Sequence, residues 1–259
     1  MQMKNKVKVI FFDMGQTLVE LSPISECMHD SLKRHLSHLD VNLNDIVYLW
    51  GHETQNLFME LREKDFINIK DINFLSLKNV LKTYGISIST SRVRTIIEDV
   101  WQDFIDNNRL YPDSIPVLNQ LKQLDYKLGI ITDCDSDVAT GIIQKHNLTN
   151  IFDVKVISGI IKAYKPNPYL FSKAMKLAKY SPCNGIYVGD SETDIKGAKE
   201  IGMIGIIIKR DTPHKETHLT IRPQSLPKVE KGIKNTQPDF IIKSLFQLIT
   251  IIKNISGEH

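Results

Sequence analysis

No apolar stretch in these 259 residues approaches the roughly 20 that a membrane span requires, so no membrane partner is expected. Cysteine is scarce. Cys27, Cys134 and Cys183 are an odd, widely spaced set that fits reduced thiols in the cytosol rather than a disulfide framework or a zinc site, and a cytoplasmic location is expected. Neither sign of charge dominates: 33 Lys plus Arg stand against 30 Asp plus Glu, a formal +3 with no long basic run, so nucleic acid is not an expected partner. The chain also lacks a Gly-x-Gly-x-x-Gly after its first strand and a Gly-Lys-Ser/Thr loop anywhere, which removes the two common nucleotide-binding signatures. Its opening, Met1 to Lys6, runs through a short apolar stretch straight into Asp13 with no small-residue cleavage site, and is read as the approach to a first strand rather than a signal peptide.

Present instead are three short apolar runs that each end in a polar turn. Val7 to Phe12 ends at Asp13, which opens Asp13-Met14-Gly15-Gln16-Thr17-Leu18. Ile130-Ile131 leads into Thr132-Asp133, and Ile186-Tyr187-Val188-Gly189 into Asp190-Ser191-Glu192-Thr193-Asp194. A carboxylate at the mouth of a buried strand is costly to keep there as packing. Strand ends of this kind can meet at one edge of a parallel sheet, where open α/β folds bind their ligands.

Between the first run and the rest, from Ser22 to about Phe104, the apolar period becomes helical and four segments are read. The first starts at a Ser22-Pro23 cap. The second carries Ile46, Leu49, Trp50, Leu57 and Leu61 on one stripe; the third carries Phe74, Leu77, Leu81 and Tyr84 and stops at Gly85. The fourth, with Val93, Ile96, Ile97, Val100, Trp101 and Phe104, has the cleanest 3.6-residue period. After Pro112 strands and helices alternate, which argues for a parallel sheet covered on both faces. The spacing predicts strands at 127–132, 154–157, 185–189, 203–208 and 240–242. The expected fold class is therefore α/β, a doubly wound parallel sheet with an inserted all-helical domain. Residues 1–20 and 106–259 form the core and residues 21–105 the insert. Residues 210–238, with Pro213, Pro223, Pro227 and Pro238, are expected to be a long basic loop of the core, with a short hairpin around Leu219 to Arg222.

These strand ends hold the parts that phosphoryl transfer needs: a nucleophile, charge neutralisation and rigid positioning. Asp13 offers a carboxylate able to form an aspartyl-phosphate. Asp190 and Asp194 offer the hard oxygen ligands that Mg²⁺ prefers. Lys165, in Lys162-Ala163-Tyr164-Lys165-Pro166-Asn167-Pro168, supplies a fixed positive charge, and the Thr132 hydroxyl can donate to a phosphoryl oxygen. Each signal alone is weak, since an Asp after a strand is commonly a turn former and a Lys before Pro is commonly solvated. Their order and their place at strand ends give them weight together. Cys134 adjoins one of these ends but has no histidine near it in sequence, and is read as a bystander.

In that order, with a helical insert after the first motif, the chain resembles the haloacid dehalogenase superfamily over nearly its whole length. Asp13 to Thr17 is similar to the family's nucleophile loop, Thr132 to its second motif, Lys165 to its third, and Gly189 to Asp194 to its fourth. The resemblance implies that Asp13 is the nucleophile and a Mg²⁺ ligand, together with the Gly15 carbonyl and Asp190. Asp194 would support the metal or orient Lys165, and Thr132 and Lys165 would hold the phosphoryl group of a small phosphorylated substrate. The helical insert would select the leaving group and close over the reaction.

One position departs from the pattern. Phosphatases of the family carry a second Asp two residues after the nucleophile, which protonates the leaving oxygen and later activates water; here that residue is Gly15. Losing such a group typically costs about 10² to 10⁴ in rate. Glu20, Asp133, Asp135 and Glu192 are candidates to replace it. The departure leaves a dehalogenase- or phosphonatase-like hydrolase, or a weakly active binding protein, as alternatives to a phosphohydrolase favouring good leaving groups.

Overall fold

A computed structural model describes residues 7–62, 64–210 and 237–256. The chain begins with β1 (Val9–Phe12) and β2 (Val19–Glu20). It then runs through α1 (Ile24–Leu36), α2 (Leu43–Leu61), α3 (Ile69–Thr83) and α4 (Thr90–Asn107), and returns at β3 (Arg109–Leu110). There follow α5 (Ser114–Gln123), β4 (Lys127–Thr132), α6 (Ser136–Lys145), β5 (Val154–Ile157), the one-turn α7 (Ser158–Ile161) and α8 (Pro168–Ala178). The chain closes with β6 (Gly185–Gly189), α9 (Glu192–Glu200), β7 (Ile204–Ile208), β8 (Phe240–Ile242) and α10 (Phe246–Ser256). Described residues up to Glu20 and from Arg109 onward make one compact unit, and Leu21–Asn108 the other. Most of the long loop expected at 210–238, and all of its hairpin, falls on residues 211–236, outside the described residues.

In the first unit six parallel strands lie in the order β5-β4-β1-β6-β7-β8. Each residue of β1, Val-Ile-Phe-Phe, is buried, because a parallel strand at the centre of a covered sheet packs on both faces and its sequence reads as one apolar run without alternation. Val9 and Phe11 face a cluster with Leu170, Phe171, Met175 and Tyr187, where α8 packs on β4 and β5 while α9 packs on β6 and β7. The chain fills β4 and β5 on one side of β1, then returns to fill β6, β7 and β8 on the other. The strand order thus reverses at β1, and the carboxyl ends of β4, β1 and β6 border the crevice that such a reversal opens.

The sheet carries the chain as the sequence predicts, with β4, β5, β6 and β8 at the expected residues and β7 starting at Ile204 rather than Met203. The antiparallel ribbon of β2 with β3 and the short α7 had no sequence signal, since two- and four-residue elements are too short to show a period. In the helical unit α4 buries the six apolar residues expected of it. The stripe expected on α2 is displaced: the helix buries Ile46, Val47, Trp50, Gly51 and Thr54, while Leu49 is exposed. The displacement follows from polar pairing with α3, where the Thr54 and Ser76 hydroxyls lie 2.7 Å apart and the Trp50 indole donates to the Asn73 carbonyl at 3.1 Å. Hydropathy alone undervalues a threonine that pairs inside a helix interface. On α1, Pro23 precedes the first helical residue and makes no side-chain cap bond, so the expected Ser-Pro cap is replaced by a proline start. Among the described residues no helix is long and apolar enough to cross a membrane.

Gly129 on β4 lies opposite Phe11 on β1, and a Cβ there would run into the Phe11 ring edge. Gly129→Ala is therefore expected to destabilise the protein by about 1–3 kcal/mol through overpacking. Urea unfolding measures this, and an unshifted midpoint would mean that the Phe11 ring has room to yield.

Candidate active site

The carboxyl ends of the three central strands deliver the polar residues. Asp13 follows β1, and its N–H donates to the Val188 carbonyl of β6 at 2.9 Å, so the strand ladder itself holds its backbone. Thr132 is the last residue of β4 and is buried. Asp190 follows β6, and Asp194 sits in the first turn of α9. Lys165 arrives on the loop between α7 and α8. Its backbone N–H donates to Asp133 Oδ1 at 3.0 Å, which ties that loop to the end of β4.

Lys165 reaches inward, 4% exposed, and its ammonium donates to Asp13 Oδ1 at 2.7 Å and to Asp194 Oδ1 at 2.6 Å. Carboxylate oxygens of Asp13, Asp190 and Asp194 lie within 4.8 Å of one another. The structure thus brings Asp13, Lys165, Asp190 and Asp194 into one cluster, with Thr132 at the end of the neighbouring strand. Asp194 is saturated. Its Oδ1 takes Lys165 and lies 3.1 Å from the Tyr187 hydroxyl, and its Oδ2 accepts from the Ser191 N–H at 3.0 Å and the Ser191 hydroxyl at 2.7 Å. The bond from the Ser191 N–H, together with the Asp194 N–H donating back to the Ser191 hydroxyl at 3.3 Å, forms a capping box at the start of α9, in which side chain and backbone satisfy each other's orphan groups. Gly189 is what admits it: a Cβ there would fall 2.7 Å from that of Asp194 and inside its carboxylate.

The sequence reading did not single out Tyr187. Its hydroxyl is buried beneath the cluster within reach of the Ile131 carbonyl (2.9 Å) and Asp194, and accepts from Lys165 at 3.3 Å. The signal available was a lone hydroxyl in an otherwise apolar parallel strand, since a buried tyrosine hydroxyl needs a partner. Asp133, a candidate acid, spends one oxygen on the Lys165 N–H. Cys134 is buried, and burial with Asp135, Asp137 and Asp13 nearby pushes its thiol well up, which disfavours the nucleophilic thiolate.

The electrostatics divide the cluster. Burial pushes the Asp13 carboxyl up; Lys165 pulls it back without overcoming that, and Asp194 and Asp190 add repulsion, leaving it at about 8. Burial acts on Asp194 the same way, but Lys165 and the Ser191 donors outweigh it and hold Asp194 below the usual carboxylate range. Burial alone would lower Lys165, yet Asp13 and Asp194 keep it well above its ordinary value. Of the two carboxylates that share one ammonium, Asp194 keeps its charge and Asp13 is the one short of positive charge. A cation beside Asp13 and Asp190 answers that shortage, and the set is all oxygen, as a hard divalent ion requires.

The haloacid dehalogenase-like hydrolase family model matches residues 10–208. A glyceraldehyde 3-phosphate phosphatase of Methanopyrus kandleri is 27% identical over 209 residues, covering 79% of this chain and 84% of that protein. A phosphoglycolate phosphatase of Vibrio vulnificus is 24% identical over 256 residues, covering 96% and 97%. The solved structure of Bacillus subtilis YfnB, bound to magnesium, aligns with a TM-score of 0.74 at 16% identity over 96% of this chain and 99% of that one.

Lys165→Met would leave two buried carboxylates facing each other without their shared ammonium, a loss expected to cost about 3–5 kcal/mol at pH 8. With the ammonium gone, the folded-state pKa of Asp194 loses its main support and rises above the unfolded one, and that of Asp13, already raised by burial, rises further. Such groups contribute stability at low pH and lose it as pH rises through the folded pKa, so part of the loss should return at pH 5. Chemical denaturation of metal-free protein at both pH values checks this; an equal loss at each would show that the two carboxylates are not charged together in the fold.

Proposed function

Because the chain belongs to the haloacid dehalogenase-like hydrolases, we propose that it is a Mg²⁺-dependent phosphohydrolase acting on a small phosphorylated metabolite through an aspartyl-phosphate at Asp13. The observation that carries this reading is the buried ammonium of Lys165, 2.7 Å from a carboxylate oxygen of Asp13 at the strand-order reversal. The phosphatase names of the curated relatives support the substrate class, and the magnesium-bound YfnB supports the ion.

Asp13, the Gly15 carbonyl and Asp190 would hold Mg²⁺, which when bound supplies the charge that lets an anionic carboxylate meet a phosphate. Asp194 is left out of that set because both its oxygens are engaged; it holds Lys165 instead. In the first step an Asp13 oxygen bonds to phosphorus and the bond to the leaving oxygen breaks, that oxygen departing with its electron pair. Lys165 and the Thr132 hydroxyl hold the phosphoryl oxygens as charge moves among them. In the second step water attacks phosphorus, the Asp13 oxygen departs as carboxylate, and inorganic phosphate is released. Gly15 can neither give a proton to the leaving oxygen nor take one from the attacking water, so substrates whose leaving oxygen is already a weak base, acyl and aryl phosphates, are favoured over alkyl phosphates.

Acetyl phosphate and p-nitrophenyl phosphate should be hydrolysed with Mg²⁺ and not with a chelator, and Asp13→Asn should lose at least about 10³-fold in kcat. Equal rates in all three assays would remove the proposal. Gly15→Asp, restoring an acid beside the nucleophile, is expected to raise kcat for alkyl phosphates by about 10²-fold and for acetyl phosphate far less. No difference between the two substrates, in a folded variant that still binds Mg²⁺, would show that another residue already delivers the proton.

A further inference from the structure

Behind the Asp13–Leu18 turn lies a second buried charged group that the catalytic reading does not use. Arg210, just past β7, has a side chain 6% exposed, and Asp113, just before α5, one 7% exposed; Arg210 Nη1 donates to Asp113 Oδ2 at 2.7 Å. The other fork nitrogen, Nη2, donates to the Thr17 carbonyl at 2.5 Å, inside the turn that Asp13 opens. The guanidinium also lies over the Tyr111 ring, 4.1 Å from its centroid, and the Tyr111 hydroxyl donates to Gln16 Oε1 at 2.6 Å. Asp113 Oδ2 is fixed in turn by the Ser244 hydroxyl (2.7 Å) and the Leu245 N–H (2.8 Å) at the approach to α10.

What this assembly grips is a strained turn. Gln16 has φ of 56°, a left-handed conformation that a residue with a Cβ adopts at a cost of order 1–3 kcal/mol and keeps only where its surroundings over-determine it. Inside the turn the Gln16 N–H donates to the Val19 carbonyl at 2.7 Å, and the Leu18 and Val19 N–H groups both reach the Met14 carbonyl. Arg210 and Tyr111 add the grip from outside, one on the backbone of Thr17 and the other on the side chain of Gln16. A buried ion pair is weak evidence for stability, because its desolvation offsets most of its attraction. Its use here is geometric: a planar guanidinium orders carbonyl, carboxylate and ring at once, which an ammonium cannot do.

We propose that Arg210, held by Asp113 and stacked on Tyr111, is a positioning residue that fixes the backbone of the turn carrying Asp13 and the Gly15 carbonyl. Amide hydrogen exchange of the full chain reads this directly, without reference to catalysis. In Arg210→Met the amides of residues 13–20 should exchange at least about tenfold faster while those of β5 and α8 keep their rates. Arg210→Lys should recover little of the protection, and Tyr111→Phe, which removes one hydroxyl, should speed the same amides to a smaller extent. In acetyl phosphate hydrolysis kcat should fall by about tenfold or more in Arg210→Met with KM little changed, since the turn bears the reacting group.

A folded Arg210→Met whose 13–20 amides keep their wild-type rate overturns the proposal, as does an equal rise across the whole chain, which would mark general loss of stability. If Arg210→Met does not fold, Tyr111→Phe decides: no rise within residues 13–20 overturns the clamp. The kinetic part rests on the phosphohydrolase reading. A wild-type protein inert toward acetyl phosphate would sink that reading while the exchange data still decide the clamp.

Discussion

Lys165 is the constraint around which the site is arranged. A buried ammonium with one carboxylate partner would be a plain ion pair, but this one is divided between Asp13 and Asp194 at 2.7 and 2.6 Å. Division matters because the two partners have unequal support. Asp194 receives the Ser191 hydroxyl and N–H as well, so its charge is settled by α9 and its capping box whatever happens at Asp13. Asp13 has the sheet edge on one side and like charges on the other, and its carboxyl sits far above its ordinary value. The least stabilised anion of the cluster is thus the one at the end of β1, where chemistry requires an anion that is more stable once a cation arrives. Perturbed carboxyls gather where they have work to do, and here the cause of the perturbation also names the remedy.

The topology makes this arrangement inexpensive. Asp13, Thr132 and Asp190 come from β1, β4 and β6, which are neighbours only because strand order reverses at β1. Their backbones are fixed by ladder bonds that the sheet forms in any case, such as Asp13 N–H to Val188. Lys165 alone must come from a loop, and that loop is the part with extra fastening: Asp133 accepts its N–H, and Asn167 caps α8 two residues later by accepting from the Tyr169 N–H. Elements that carry their own hydrogen bonds need little help to hold a side chain in place, whereas a loop must be tied down by side chains.

How much of this was legible in the sequence follows from the same distinction. The strand ends were readable because a buried parallel strand is an apolar run and its end is where the run meets a carboxylate; Val188-Gly189-Asp190 and Phe12-Asp13 carry weight as a set, though each alone reads equally as a turn. Gly189 belongs to a motif that the sequence shows, but its cause, room for the Asp194 carboxylate, exists only in the fold. Tyr187, within the third apolar run, and Arg210, at the start of the basic loop, carry no role that the sequence shows. Tyr187 sits where an apolar residue fits the pattern equally well, so only its hydroxyl partners reveal it. Arg210 bonds Thr17 across 193 positions of sequence and Asp113 across 97, and no local pattern encodes contacts of that range. On α2 the misplaced stripe has the opposite origin, since a local pattern was present but Thr54 and Ser76 replaced an apolar contact with a hydroxyl pair.

Gly15 is best understood against this background of over-fixed backbone. The turn is held at Gln16, Thr17 and Leu18 by Tyr111, Arg210 and Ser114, and internally by the Met14 carbonyl, so the contacts that fix its path lie at positions other than 15. A missing carboxyl there removes a proton donor and leaves the nucleophile, its ammonium and the carbonyl at position 15 in their places. The consequence falls on departure of the leaving oxygen and on activation of water in the second step, and of these only the first varies with the substrate. Bond formation between Asp13 and phosphorus keeps its groups, while departure of a strongly basic oxygen loses the acid that would have met it. Chemistry at this site is thereby graded by the basicity of the leaving group: each pKa unit on that oxygen weighs more heavily than it would where an acid stood ready, because without proton transfer the departing oxygen must carry its developing charge alone.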